Sequence, residues 1–319
     1  MTLGVGVGGW VGLAGGGEHG GGGVRAGGRA LVSSASPAPS GALRLDLPWP
    51  AEGQASVEVA GLGSLGSSGR QQPVPIASLA KVMTAYVILK EHPLRADEVG
   101  PRITVDATAE AESHSLSEST APVRAGQRLT QRTLLELLLL PSGNNIARLL
   151  ARWDAGSQQA FVAKMNRAAA DLGMRHTTYT GASGVEPTTR STADDQLKLA
   201  RQAMRDPVLR TVVGLRETTV PESPGVITNT NRLLAKPGVV GLKTGSSTPA
   251  GGNLLWAAEV GSGRARHLVL GAVLGQRAHT TPAEGMAAAL THSGELIDAV
   301  RQGLPAALIG SGARQPVRS

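Results

Sequence analysis

The sequence predicts an α+β fold, with one antiparallel sheet formed from both chain ends and a helical lobe inserted between them. Three observations carry this. Strand-like alternation appears near residue 55 and again beyond Thr218. Between roughly residues 76 and 205, apolar residues recur at helical spacing. Glycine-rich turns join neighbouring strand candidates at both ends.

Composition narrows the function classes. The 319 residues are 41% hydrophobic, enough for a real core, but only one Phe, two Tyr and four Trp are present. Leu, Val, Ala and Ile must therefore do most of the packing. The formal charge of +7 is spread along the chain without interleaved aromatics, which argues against a nucleic-acid partner. No cysteine occurs, so disulfides and thiol nucleophiles are excluded, and dispersed histidines without H-E-x-x-H predict no metal and no cofactor.

Residues 1–45 read as low-complexity and disordered, or as the remnant of an export or linker segment, with about a third of all glycines. Gly4-Val5-Gly6-Val7-Gly8-Gly9 lacks the preceding strand and following lysine of a phosphate loop. No clear signal peptide or transmembrane run is evident. Pro48-Trp49-Pro50 marks the entry to a folded domain over 46–305, and residues 306–319 read as a disordered tail.

Within that domain, Ala55–Val59 alternates as a strand and Gly61–Gly69 continues it as a hairpin. Pro75–Lys90 opens a helix carrying Ser78 and Lys81 on one face. Ile103–Val105 is a short strand, and Glu110–Thr120 a polar surface loop. Thr130 caps a helix that is apolar on nearly every side through Leu140, hence buried. It stops at Pro141-Ser142-Gly143-Asn144, and a second helix follows from Ile146 to Trp153. Further helices span 157–173 and, capped at Ser191, residues 191–205. Strands follow at Val239–Thr244, Leu254–Val260 and His267–Leu274, the last two joined by the turn Gly261-Ser262-Gly263-Arg264. A final helix runs from Pro282 through Val300.

Three short elements carry chemistry: Ser78-Leu79-Ala80-Lys81, Ser142-Gly143-Asn144 and Lys243-Thr244-Gly245. A serine hydroxyl becomes a nucleophile only with a base at hand, and Lys81 lies one helical turn on. Burial and a second ammonium, Lys243, would both disfavour its charged form. Ser142 can pass a proton, and Asn144 can hold Lys81 or a substrate amide. Lys243 can attract a carboxylate, while Gly245 lets a substrate backbone approach. The backbone N–H groups of Ser78 and Ser246 are the candidate oxyanion donors.

Ile76–Ala85, Met165–Met174, Ser191–Asp195 and Asn229–Leu234 leading into Gly241–Gly245 resemble segments of the serine-type D-alanyl-D-alanine carboxypeptidases. The resemblance covers most of residues 55–300 and implies a low-molecular-mass penicillin-binding protein with a β-lactamase/transpeptidase-like fold. It further implies attack by Ser78 on peptidoglycan stem peptides ending in D-Ala-D-Ala, with Lys243 and Thr244 holding the terminal carboxylate. β-Lactam antibiotics would acylate the same serine as covalent inhibitors, and no protein partner is evident. The expected location is extracytoplasmic, at the cell wall or the outer face of the membrane. The alternatives are a D,D-endopeptidase on cross-linked peptides, a β-lactamase, and a non-catalytic penicillin- or wall-binding protein. Gly143 and the missing E-x-x-L-N weigh against the β-lactamase.

Overall fold

Both chain ends build the main sheet, as the patterning predicts. The computed structural model describes residues 43–220, 225–261 and 266–310. In chain order, β1 (Gln54–Val59) and β2 (Gly63–Ser68) make the leading hairpin; β3 (Val74–Pro75) and a 3-10 turn over Ala77–Leu79 then deliver α1 (Ala80–Glu91). The lobe continues with β4 (Arg102–Thr104), α2 (Ala107–Ser113), β5 (Arg128–Thr130), α3 (Gln131–Leu139), α4 (Asn144–Ala155) and α5 (Gln158–Asp171). After β6 (Arg190–Ser191) come α6 (Ala193–Ala203), α7 (Pro207–Gly214), β7 (Glu217–Thr219) and β8 (Val226–Thr228). A second 3-10 turn, Arg232–Ala235, precedes β9 (Val239–Ser247), β10 (Gly251–Val260), β11 (His267–Gln276) and α8 (Pro282–Gly310).

The sheet order is β2-β1-β11-β10-β9, antiparallel throughout, which leaves β9 as one edge. Alternation splits its side chains between two cores. Leu255, Ala257, Leu270 and Ala272 face the helical lobe, whereas Leu254, Trp256, Val269 and Val273 join α8 residues on the other side. Trp256 is fully buried opposite Gly271, where an added Cβ would stand 2.0 Å from its ring. Glycine there is what lets the largest side chain of the core lie flat on the sheet.

The structure moves several boundaries. The predicted loop 110–120 begins inside α2: Asp106 caps that helix through Ala109 N, and Ala109 is its one buried residue. With so narrow a buried face, no apolar stripe announces it. The cap of α6 is Thr192, one residue past Ser191; its side chain accepts from Asp195 N at 3.1 Å. The last helix extends ten residues beyond Val300, into the stretch read as a tail. Leu43 and Leu47 are already packed in the α8-side core, ahead of the proline boundary. The predicted N-terminal segment up to residue 42, the turn residues 262–264 and the tail beyond 310 lie outside the described residues.

Candidate active site

Ser78 sits in the 3-10 turn that launches α1, so the hydroxyl is carried at the tip of a buried helix. The preceding Ala77 has φ +47°, a left-handed conformation that costs energy for a residue with a Cβ. The loop at Ser183–Gly184 braces it. Gly184, at φ +82°, lies so close that a Cβ would meet Ala77 O at 2.0 Å.

One turn on, Lys81 is completely buried. Its Nζ is 2.8 Å from Ser78 Oγ, 2.5 Å from Asn144 Oδ1 and 2.8 Å from Ser183 O. Burial first, then the charges of Lys243 and Arg148, push its pKa well below the usual lysine value; Glu118 and Glu186 push back more weakly. A neutral amine has two N–H donors and one lone pair. With Asn144 Oδ1 and the Ser183 carbonyl accepting the two donors, the lone pair is left for the proton of Ser78.

Ser142 and Asn144 arrive from the corner between α3 and α4. Ser142 holds φ +67°, and its Oγ is buried with no hydrogen-bond partner among the described residues. A buried hydroxyl with no partner, lining the same cleft as Ser78, suits a proton carrier. Between them, Gly143 packs so tightly that a Cβ would stand 2.8 Å from Leu137 O and 3.2 Å from Ala121 Cβ. A side chain at this position, such as the aspartate of a Ser-Asp-Asn motif, has no room without a shift of the corner.

Strand β9 closes the opposite wall. Lys243 is buried, its Nζ donating to Thr244 O at 2.9 Å, and burial lowers its pKa to about 7. Thr244 Oγ1 lies 2.6 Å from Thr230 Oγ1. Gly245 faces the nucleophile turn, where a Cβ would meet Ser78 N and Leu79 Cδ1 at 2.9 Å. Its missing side chain therefore admits the enzyme's own backbone beside the strand, while Gly245 also lines the cleft.

A cleft of about 530 Å³ opens here. Ser78, Ser142, Thr244, Gly245 and Ser246 line it, while Lys81, Asn144 and Lys243 stand behind its wall. The seven predicted site residues and Ser246 are thus gathered at one place. Sequence reasoning missed Glu118, Arg148 and the Ser183 carbonyl, and it missed the outer wall supplied by Arg232 and by Met286 and Leu290 of α8. The one available signal was Arg148, four residues and one turn from Asn144 on the same helix face. No cluster of His, Cys, Asp or Glu able to hold a metal occurs among the described residues.

Comparison with known proteins agrees with this geometry. A D-alanyl-D-alanine carboxypeptidase DacB2 from Mycobacterium tuberculosis is 36% identical over 216 residues, covering 65% of this chain and 70% of the relative. A D-alanyl-D-alanine endopeptidase from Pseudomonas aeruginosa is 35% identical over 210 residues, covering 64% and 65%. The crystal structure of the Streptomyces K15 DD-transpeptidase superposes with a TM-score of 0.70 at 26% identity, over 80% of this chain and 98% of that one. A profile of the D-alanyl-D-alanine carboxypeptidase family matches residues 64–273, two thirds of the sequence, so this chain belongs to that family of serine peptidases and carries its β-lactamase-like fold.

Proposed function

We propose that residues 46–305 form the catalytic domain of a penicillin-sensitive D-Ala-D-Ala carboxypeptidase acting through an acyl-enzyme on Ser78. One observation carries the assignment of roles: a fully buried Lys81, its pKa pushed down first by burial and then by Lys243, stands 2.8 Å from the Ser78 hydroxyl. In this reading Ser78 Oγ attacks the carbonyl of the penultimate D-alanine and its proton passes to Lys81 Nζ. The N–H groups of Ser78 and Ser246 stabilise the oxyanion. As the peptide C–N bond breaks, Ser142 relays the proton to the departing amine of D-alanine. Lys243 and Thr244 hold the terminal carboxylate. Water then attacks the ester, giving its proton back through Lys81 and freeing Ser78. A β-lactam ring would open on the same serine, and the family resemblance implies that its acyl group leaves slowly.

A wall substrate requires the protein outside the cytoplasmic membrane, at the cell wall or the outer membrane face. No helix among the described residues is long and apolar enough to cross a membrane. The test combines labelling by a fluorescent penicillin with release of D-alanine from a D-Ala-D-Ala peptide. Both are expected in the parent and neither in Ser78→Ala. A Ser78→Ala protein that still releases D-alanine would overturn the reading. Labelling without release would point to a binding protein, rapid penicillin turnover to a β-lactamase.

A further inference from the structure

Beside the catalytic group lies a buried cluster that the mechanism above does not use. Glu118, from the loop after α2, accepts from Asn144 Nδ2 at 3.1 Å and from Arg148 Nη2 at 2.8 Å, both on the same oxygen. Arg148 Nε is 2.9 Å from Glu112 Oε1 at the end of α2. All three charged side chains are mostly buried, the arginine most of all. Asn144 and Arg148 are one turn apart on α4, so a single helix face presents both to Glu118. The loop itself is tied down by Asn144 N donating to Ser119 O at 2.8 Å and by Asn145 bridging Ala109 and Ala121.

This arrangement decides which way the Asn144 amide points. A carboxylate only accepts, so the amide NH2 must face Glu118 and the carbonyl Oδ1 must face Lys81. In the flipped amide, two donors would oppose each other at Lys81 and two acceptors at Glu118, each a buried unsatisfied pair. We infer that Glu118, clamped by Arg148, is a positioning residue: it fixes the Asn144 carbonyl against Lys81 and balances the charge around the catalytic base. This rests on the assignment of Lys81 as that base.

The charges around Lys81 come from several elements. Lys243 on β9 and Arg148 on α4 oppose a proton on Lys81; Glu118 and Glu186, both in loops, favour it. Other charged groups on the packed helices engage partners away from Lys81. On α3, Arg132 donates to loop carbonyls and Glu136 accepts from Thr218; on α5, Lys164 pairs with Glu91 and Asp154. On α6, Asp195 pairs with Lys198 and Arg201 with Glu58. The Arg148 guanidinium outweighs the cost of partial burial at Glu118 and keeps its carboxyl below the usual value.

The sign of each substitution follows. Acylation needs neutral Lys81, so its rate climbs with pH along an acid limb. Removing the Glu118 charge makes the neutral amine easier and moves that limb to lower pH. Removing the Arg148 charge moves it to higher pH. The readout is the acylation rate by a fluorescent penicillin at a pH on the acid limb, divided by the plateau rate. In Glu118→Gln this ratio is expected to rise roughly two- to five-fold. In Arg148→Met it falls by a similar factor, and the double variant returns towards the parent. The plateau itself should fall further in Glu118→Ala than in Glu118→Gln, whose carbonyl still accepts from Asn144.

A merely structural loop anchor would lower the rate at every pH without moving the limb. An unmoved ratio in Glu118→Gln, or a shift of both single variants in the same direction, overturns the proposal. If Arg148→Met does not fold, the opposite movement between Glu118→Gln and the double variant decides. The assignment of Lys81 fails separately, through normal acylation of Lys81→Met.

Discussion

Two buried lysines face the same cleft from opposite walls, and they differ in what surrounds them. Lys81, on the helical side, has three oxygens within 2.8 Å, one of them the nucleophile's, and two carboxylates in electrostatic reach. Lys243, on the sheet edge, is held by the carbonyl and hydroxyl of the adjacent Thr244, and burial alone accounts for its shift to about 7. The Lys243 charge adds to burial in disfavouring the protonated form of Lys81. The division of labour follows. In the proposed mechanism the lysine beside the nucleophile acts as the neutral base, and the one on the sheet edge pairs as a cation with the substrate carboxylate.

The largest effect that would break this comparison is at Lys81. Lys81→Met removes the base but also a buried ionisable group, so the fold should hold. Acylation by a fluorescent penicillin is expected to fall about 10²–10⁴-fold, the usual worth of a general base. Arginine at this position should do no better, because a guanidinium never gives up its proton. A Lys81→Met protein acylated within ten-fold of the parent would remove the distinction between the two lysines.

How much of this was legible depends on distance along the chain. Ser78 and Lys81 are three residues apart, and helix geometry alone puts them on one face. Ser142 and Asn144 stand out because a polar pair interrupts a run of leucines. Lys243–Gly245 stands out as a lysine inside an otherwise apolar strand. Glu118 gave no such sign: it lies in a polar stretch 26 residues before Asn144, and only the folded loop brings them together. The Ser183 carbonyl is backbone, which no residue type encodes. At Gly245 the sequence shows a need for space but not the second neighbour that fills it, since Ser78 N approaches from a residue far away in the chain. The α8 wall of the cleft was hidden for the same reason: Met286 and Leu290 read as ordinary core of a terminal helix.

A second prediction uses the folded state as its own reporter. Both lysines have pKa values depressed below their unfolded values, so between about pH 7 and the ordinary lysine range the unfolded chain binds more protons. Stability should therefore rise with pH across that window and, for Lys243, level off below about 7, where both states carry the proton. The carboxylates whose pKa values are shifted, Asp106, Glu118 and Glu284, are shifted downwards and titrate below this window. From pH 7 to 9 the gain from Lys243 is ~2 kcal/mol, seen as a rising urea midpoint. Lys243→Met should be the more stable protein at pH 7 and show a flatter profile. A parent whose urea midpoint falls steadily from pH 7 to 9 would contradict burial as the cause.

The smallest expected effect separates the two lysines by substrate. Lys243→Met should raise KM for a peptide ending in a free carboxylate by roughly ten-fold, since a charge-assisted bond is lost. For the same peptide ending in an amide, the change should be within about two-fold, because no carboxylate remains to be held. In the parent, KM for the free acid should climb as pH passes about 7, where unliganded Lys243 loses its charge. The amide substrate should show no such climb, while the acid limb in kcat set by Lys81 stays common to both. Equal losses on acid and amide would mean that Lys243 acts through Lys81 alone, as a nearby charge lowering the affinity of the base for its proton, and the carboxylate would then need another holder.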